Sequence, residues 1–124
     1  MWKLSGFADE IGPDLNEQLD TLAAEGIRHL ELRGVWKKGV LDLTDEELAR
    51  VGEGLKARGM SLSAIGSPIG KIKITDPFPP HLERFRRALA CARALGAPFI
   101  RIFSFYVPEG EAERYRDEVI GRLR

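Results

Sequence analysis

Lys56-Ala57-Arg58-Gly59, then Ser61 to Ile65, then Gly66-Ser67-Pro68-Ile69-Gly70-Lys71: one stretch holds a helix end, a strand and a glycine-bracketed loop. A glycine just past the last helical turn supplies the left-handed residue that closes a helix. Two other amphipathic stretches end the same way, at Ala23-Ala24-Glu25-Gly26 and Arg93-Ala94-Leu95-Gly96. Each of these glycines precedes an extended segment, Arg28 to Leu32 and Phe99 to Phe103, and Lys3 to Phe7 opens the series. The repeated unit is a strand followed by a helix.

The helix starts are also legible. Asp14-Leu15-Asn16-Glu17 and Thr44-Asp45-Glu46-Glu47 have capping-box spacing ahead of apolar runs. Leu15, Leu19 and Leu22 make one expected buried stripe, Leu48, Val51 and Leu55 a second, and Leu82, Phe85 and Leu89 a third. Pro79 and Pro80 begin that third helix, where a missing amide donor costs nothing. A fourth helix is predicted from near Glu111, burying Tyr115, Val119 and Leu123.

Strands alternating with helices of this length run parallel and are joined by right-handed crossovers, which leaves an open doubly wound sheet or a barrel. The first turn lacks the Gly-x-Gly-x-x-Gly fingerprint of a nucleotide fold. The long loops all follow strands, as they do where function sits at the strand C-terminal rim. Both features favour the barrel. The expected fold class is α/β: four consecutive βα units, the N-terminal half of a (βα)8 TIM barrel, as a single domain over residues 1–124. The fourth helix lacks the terminator that closes the other three, so the domain is expected to be cut within it, with four further units to follow.

Composition narrows the function. With 44% hydrophobic and 31% charged residues the chain suits a folded domain. Lys plus Arg and Asp plus Glu each number 19, so no summed field favours nucleic acid or an anionic membrane surface. The single cysteine, Cys91, excludes an internal disulfide framework and fits a reducing compartment, and no apolar stretch has the length of a membrane span. The expected location is cytoplasmic.

Chemistry must then lie in the four rim loops. They read Phe7-Ala8-Asp9-Glu10-Ile11, Glu31-Leu32-Arg33-Gly34-Val35-Trp36, Ile65-Gly66-Ser67-Pro68-Ile69-Gly70-Lys71 and Arg101-Ile102-Phe103-Ser104-Phe105-Tyr106. In order and position these segments resemble the N-terminal half of the sugar-phosphate isomerase and epimerase family, with the xylose-isomerase-like TIM barrel. The likeness runs from about Gly6 to the chain end, and Gly66 to Lys71 is its most distinctive part. The resemblance implies a sugar or sugar-phosphate substrate and a divalent metal, Mn, Mg, Co or Zn, that polarises a hydroxy-ketone while two glutamates move a proton. In that family the metal ligands and glutamates come from strands five to eight, so no catalytic residue and no metal ligand is carried over, and this chain alone is expected to be inactive.

Five residues are candidates for substrate binding. Ser67 and Lys71 stand in a loop whose glycines, Gly66 and Gly70, let backbone amides approach an anion or merely allow tight turns. Trp36, with Phe105, offers an aromatic wall for a sugar pocket or simple packing. Glu31 and Arg101 each lie five residues after a terminating glycine, as Ala64 does, and a barrel layer draws its side chains from alternate strands. The two should therefore share a layer and pair, because a lone buried ion costs several kcal/mol. Asp9 and Glu10 either support the rim or favour the helix that follows. His29 and His81 are too far apart in the pattern to share a metal, and Cys91, without a paired base, reads as a small buried hydrophobe.

Two other classes remain. The endonucleases that cut DNA at abasic sites share this barrel, but their relatives place histidine ligands in first-half loops that here hold Ser67, Lys71, Arg101 and Ser104. The chain could also be a non-catalytic half-barrel fragment or assembly module. A half barrel leaves two strand edges and one sheet face uncovered, so a homo-oligomer, most simply a two-fold dimer, is expected.

Overall fold

A computed structural model describes all of residues 1–124. In chain order the elements are β1 (Ser5–Gly6), α1 (Leu15–Ala24), β2 (His29–Leu32), β3 (Gly34–Val35), β4 (Lys38–Gly39), a 3-10 turn at Val40–Asp42, α2 (Asp45–Ala57), β5 (Ser61–Gly66), α3 (Phe78–Leu95), β6 (Ile100–Arg101) and α4 (Ala112–Leu123). Gly26, Gly59 and Gly96 all take positive φ at the ends of α1, α2 and α3, as the repeated terminator requires. Thr44 and Glu47 form the full reciprocal capping box, whereas Asp14 accepts the Glu17 amide without a return bond. No helix is long and apolar enough to cross a membrane.

The protein is α/β with a four-stranded parallel sheet in the order β1-β2-β5-β6, which is the order of the chain. Sequential parallel strands joined by right-handed crossovers keep their helices on one face. Accordingly α1 packs on α2 and α2 on α3, and Leu30, Leu32, Leu62 and Ile65 are buried with Leu19, Val51 and Cys91 in one core. Glu31, Ser63 and Arg101 belong to the opposite, open face, and none of them is fully buried.

That open face is concave. Ser5 and Ser63 belong to strands separated by β2, yet their hydroxyls are 2.6 Å apart, and Glu31 Oε1 and Arg101 Nε, separated by β5, are 3.3 Å apart. Second-neighbour strands in a flat sheet lie about 9.5 Å apart, a gap two serines cannot bridge. A bulge assists the curvature. Leu30 pairs with Leu62 and Glu31 with Ala64, so Ser63 is an extra residue on β5.

Four expectations need correction. The buried face of α3 is Ala88, Cys91 and Ala92, with Leu82, Phe85 and Leu89 only half-buried, because close approach of the helix to its neighbours selects small side chains. In α4 no residue is buried: Tyr115 and Val119 are partly covered and Leu123 is exposed. The loop after β2 contains an unforeseen hairpin, β3 with β4, whose central residues Trp36 and Lys37 both take positive φ, the type I′ geometry. Finally, Arg101 pairs with Gly66 rather than standing level with Ala64.

Candidate functional site

The C-terminal ends of β2, β5 and β6 meet at a hollow of about 190 Å³ lined by Arg33, Asp42, Ser67, Lys71, Arg84 and Arg101, with Gly66 and Pro68 in its wall. Each cation arrives from a different element: Arg33 follows β2, Lys71 ends the loop after β5, Arg84 stands on α3, and Arg101 closes β6. Four positive side chains thus converge on a space smaller than the 300–1,000 Å³ or so of a whole small-molecule pocket.

Their partners differ. Arg33 Nε donates to both Asp9 oxygens, at 3.1 and 2.9 Å, its Nη2 donates to Glu10 Oε1 at 3.0 Å, and the group lies 4.4 Å over the Phe7 ring. The hydrogen bond to Asp9, and then that to Glu10, holds the Arg33 proton more tightly than usual. Asp9 and Glu10 therefore do not serve the helix end, which Asp14 caps; they orient Arg33. Arg84 Nη2 meets Asp42 Oδ1 at 3.0 Å.

Glu31 and Arg101 share the open face, as their expected layer requires. Their ion pair is close but misdirected: at 3.3 Å neither Glu31 Oε1 nor Arg101 Nε makes a hydrogen bond, although both atoms are buried. Distance alone gives Coulomb attraction, while the missing alignment withholds the hydrogen-bond part. The guanidinium also lies 4.8 Å over Phe103 and 5.2 Å over Phe7, and its Nη2 reaches the Ser67 carbonyl only at 3.5 Å. Arg101 lines the hollow, and its Nη1 makes no hydrogen bond within the chain.

The glycine loop is tied down by its own bonds. Ser67 is fully buried, donates to the Arg101 carbonyl at 2.5 Å and accepts from the Ile69 amide at 3.3 Å. The Ser67 amide donates to Ile65, the Gly70 amide to His81 Nε2 at 2.8 Å, and the Lys71 amide to Pro68. These amides have no capacity left for an anion, so of the two readings of the glycines the structure displays close packing. A Cβ on Gly70 would lie 1.8 Å from the Phe103 carbonyl oxygen. Only the Lys71 side chain, exposed and 4.6 Å over Phe103, faces outward as a charge.

Trp36 does not join this cluster; it is partly buried on the core and stacks under Arg50 at 4.4 Å. Phe105 lies edge-on to Phe78 and His81, while its amide donates to the Gly70 carbonyl. His81 accepts the Gly70 amide, and His29 bonds Ser61 at the other end of the sheet. No group of three His, Cys, Asp or Glu side chains that could hold a metal ion is gathered in the chain. Sequence reasoning passed over Gln18, which is fully buried and donates to the Gly12 and Gly34 carbonyls, joining the loops after β1 and β2. A polar residue inside the apolar stripe Leu15, Leu19, Leu22 was the signal available. No family model matches the chain, and no curated protein matches its sequence.

Proposed function

We propose that the chain is the N-terminal half of a (βα)8 barrel and forms the substrate-gripping part of the rim of a sugar or sugar-phosphate isomerase or epimerase. The observation that carries this reading is contact across the concave face between alternate strands, Ser5 with Ser63 and Glu31 with Arg101. Layers built from alternate strands are how a barrel fills its interior. The resemblance of the four rim loops supplies the chemistry. Arg101, with free donors, contacts substrate hydroxyls, and Glu31 orients it from below. Proton transfer and the divalent metal belong, in this reading, to groups outside these four units.

The uncovered face also supports a partner. Strands β1 and β6 each have one neighbour only, and exposed apolar residues flank both edges: Trp2 and Leu4 beside β1, Phe99 and Ile102 beside β6. A second copy related by a two-fold axis offers each edge the strand it lacks. Light scattering at micromolar concentration should give twice the chain mass, and a monomer would count against the closure. The function is tested by ligand-observed NMR with a ketopentose and its aldose isomer. Binding weakened at least tenfold by Arg101→Met is expected; absence of binding to any such sugar overturns the reading.

A further inference from the structure

We propose that Glu31 and Arg101 form half of a polar ring that a second copy of the chain completes, with the two carboxylates and two guanidiniums alternating round the interior of one shared barrel. The inference rests on the two-fold dimer of the reading above and states what the second copy contributes to the Glu31–Arg101 site.

The register already has the pitch of such a barrel. Glu31 pairs with Ala64, yet its ion-pair partner Arg101 pairs with Gly66, two residues further along β5. Ser5 pairs with His29 and His29 with Ser61, yet the Ser5 hydroxyl meets Ser63, again two residues further along β5. Both contacts reach across an intervening strand, so the sheet climbs about one residue per strand. Carried round eight strands, that step gives a stagger of about eight residues, the shear of a closed (βα)8 barrel. Two copies of the four-stranded sheet supply the strands.

Alternation then decides which side chains meet. An interior layer takes one side chain from every second strand, about four in all. From β2 and β6 of both copies the order round the barrel is Glu31, Arg101, the partner's Glu31 and the partner's Arg101, so every neighbour has the opposite sign. Within one copy the site is incomplete. Glu31 Oε1 and Arg101 Nε are buried 3.3 Å apart without a hydrogen bond, and Arg101 Nη1 has no acceptor in the chain. The partner's Glu31 approaches from the side on which β6 has no neighbour and accepts from that Nη1, turning a misaligned contact into a charge-assisted hydrogen bond. Phe99 supports the same occupant: two residues before Arg101 and so on the same face, it is 72% exposed in the single copy and interior in the pair. A formal net charge of zero adds no general repulsion between copies.

The test uses the whole chain and two charge reversals, Glu31→Arg and Arg101→Glu, read by light scattering and native mass spectrometry. Either reversal alone gives a ring of like charges, so its dimer dissociation constant should rise about a hundredfold or more. Refolded together from urea, the two reversed chains should recover a dimer holding one of each, because every contact across the interface then joins opposite charges. A pair that acted only inside one chain cannot be rescued this way, since each chain keeps its own like charges in the mixture. Reversals that dimerise as tightly as the wild type overturn the ring and leave the two-fold dimer standing. Reversed chains that stay apart or unfolded after refolding together overturn the ring too, whether or not each folds alone. A monomeric wild-type chain overturns the dimer reading and the ring with it.

Discussion

Gly70 holds φ of +85°, and its Cα faces the Phe103 carbonyl so closely that any side chain would overlap backbone. Conformation and space therefore agree on glycine. Gly70→Ala should destabilise the chain by about 3 kcal/mol or more, read as a shift of the urea midpoint. The same residue makes the fold sensitive to pH. Its amide donates to His81 Nε2, which must be unprotonated to accept, and burial, then the nearby Arg122 and Arg84 charges, push the His81 pKa below the usual histidine value. A depressed histidine favours the folded state while neutral, so its contribution is present above the unfolded value, about 6.5, and is lost as pH falls through the lowered folded value. Stability should decline from pH 7 toward 5, and the decline should flatten in His81→Gln; an unchanged slope would remove His81 as its source. The glycines of this loop could be read from the sequence, but not their purpose, because an amide's partner lies eleven residues away on another element.

Among the elements, helix ends were the most legible. Thr44 and Glu47 close α2 through local bonds that need no tertiary knowledge. Thr44→Ala should cost about 1 kcal/mol in thermal or chemical unfolding. The face of α3 was less legible, since periodicity marks a stripe but not which of two adjacent stripes packs closest. Large Leu82, Phe85 and Leu89 suggested one; the core took Ala88, Cys91 and Ala92. The β3–β4 hairpin was hidden for a different reason. Its turn is Trp36-Lys37, and non-glycine residues at positive φ carry a cost that no local preference announces. Gly34, whose added Cβ would lie 3.0 Å from the Lys38 carbonyl, was the one local hint of close backbone approach.

At the scale of the whole molecule, sheet order followed from the alternation of strands and helices, and the pairing face of Glu31 and Arg101 followed from parity. The expected register put Arg101 level with Ala64, whereas it pairs with Gly66. An offset of two residues returns a strand side chain to the same face, so the inference survived its own error. The Ser5–Ser63 contact itself was not foreseen, because it joins residues in strands that never pair with each other. Packing of the core against this sheet is tight. Leu48→Ala, which empties a fully enclosed position on α2, should cost about 2–5 kcal/mol in the same unfolding measurement.

Cys91 lies wholly inside α3 against the Val40 carbonyl, and burial pushes its thiol pKa up. It is also the only sulfhydryl in the chain, so it acts as a clock. A thiol-reactive dye can modify it only when α3 parts from the 3-10 turn beneath it, and the labelling rate counts how often that happens. Strand β6, which follows α3, is held by two ladder residues on one side. Labelling should therefore outrun global unfolding and respond little to Leu48→Ala, reporting the last third of the chain peeling away while the first two βα units stay assembled.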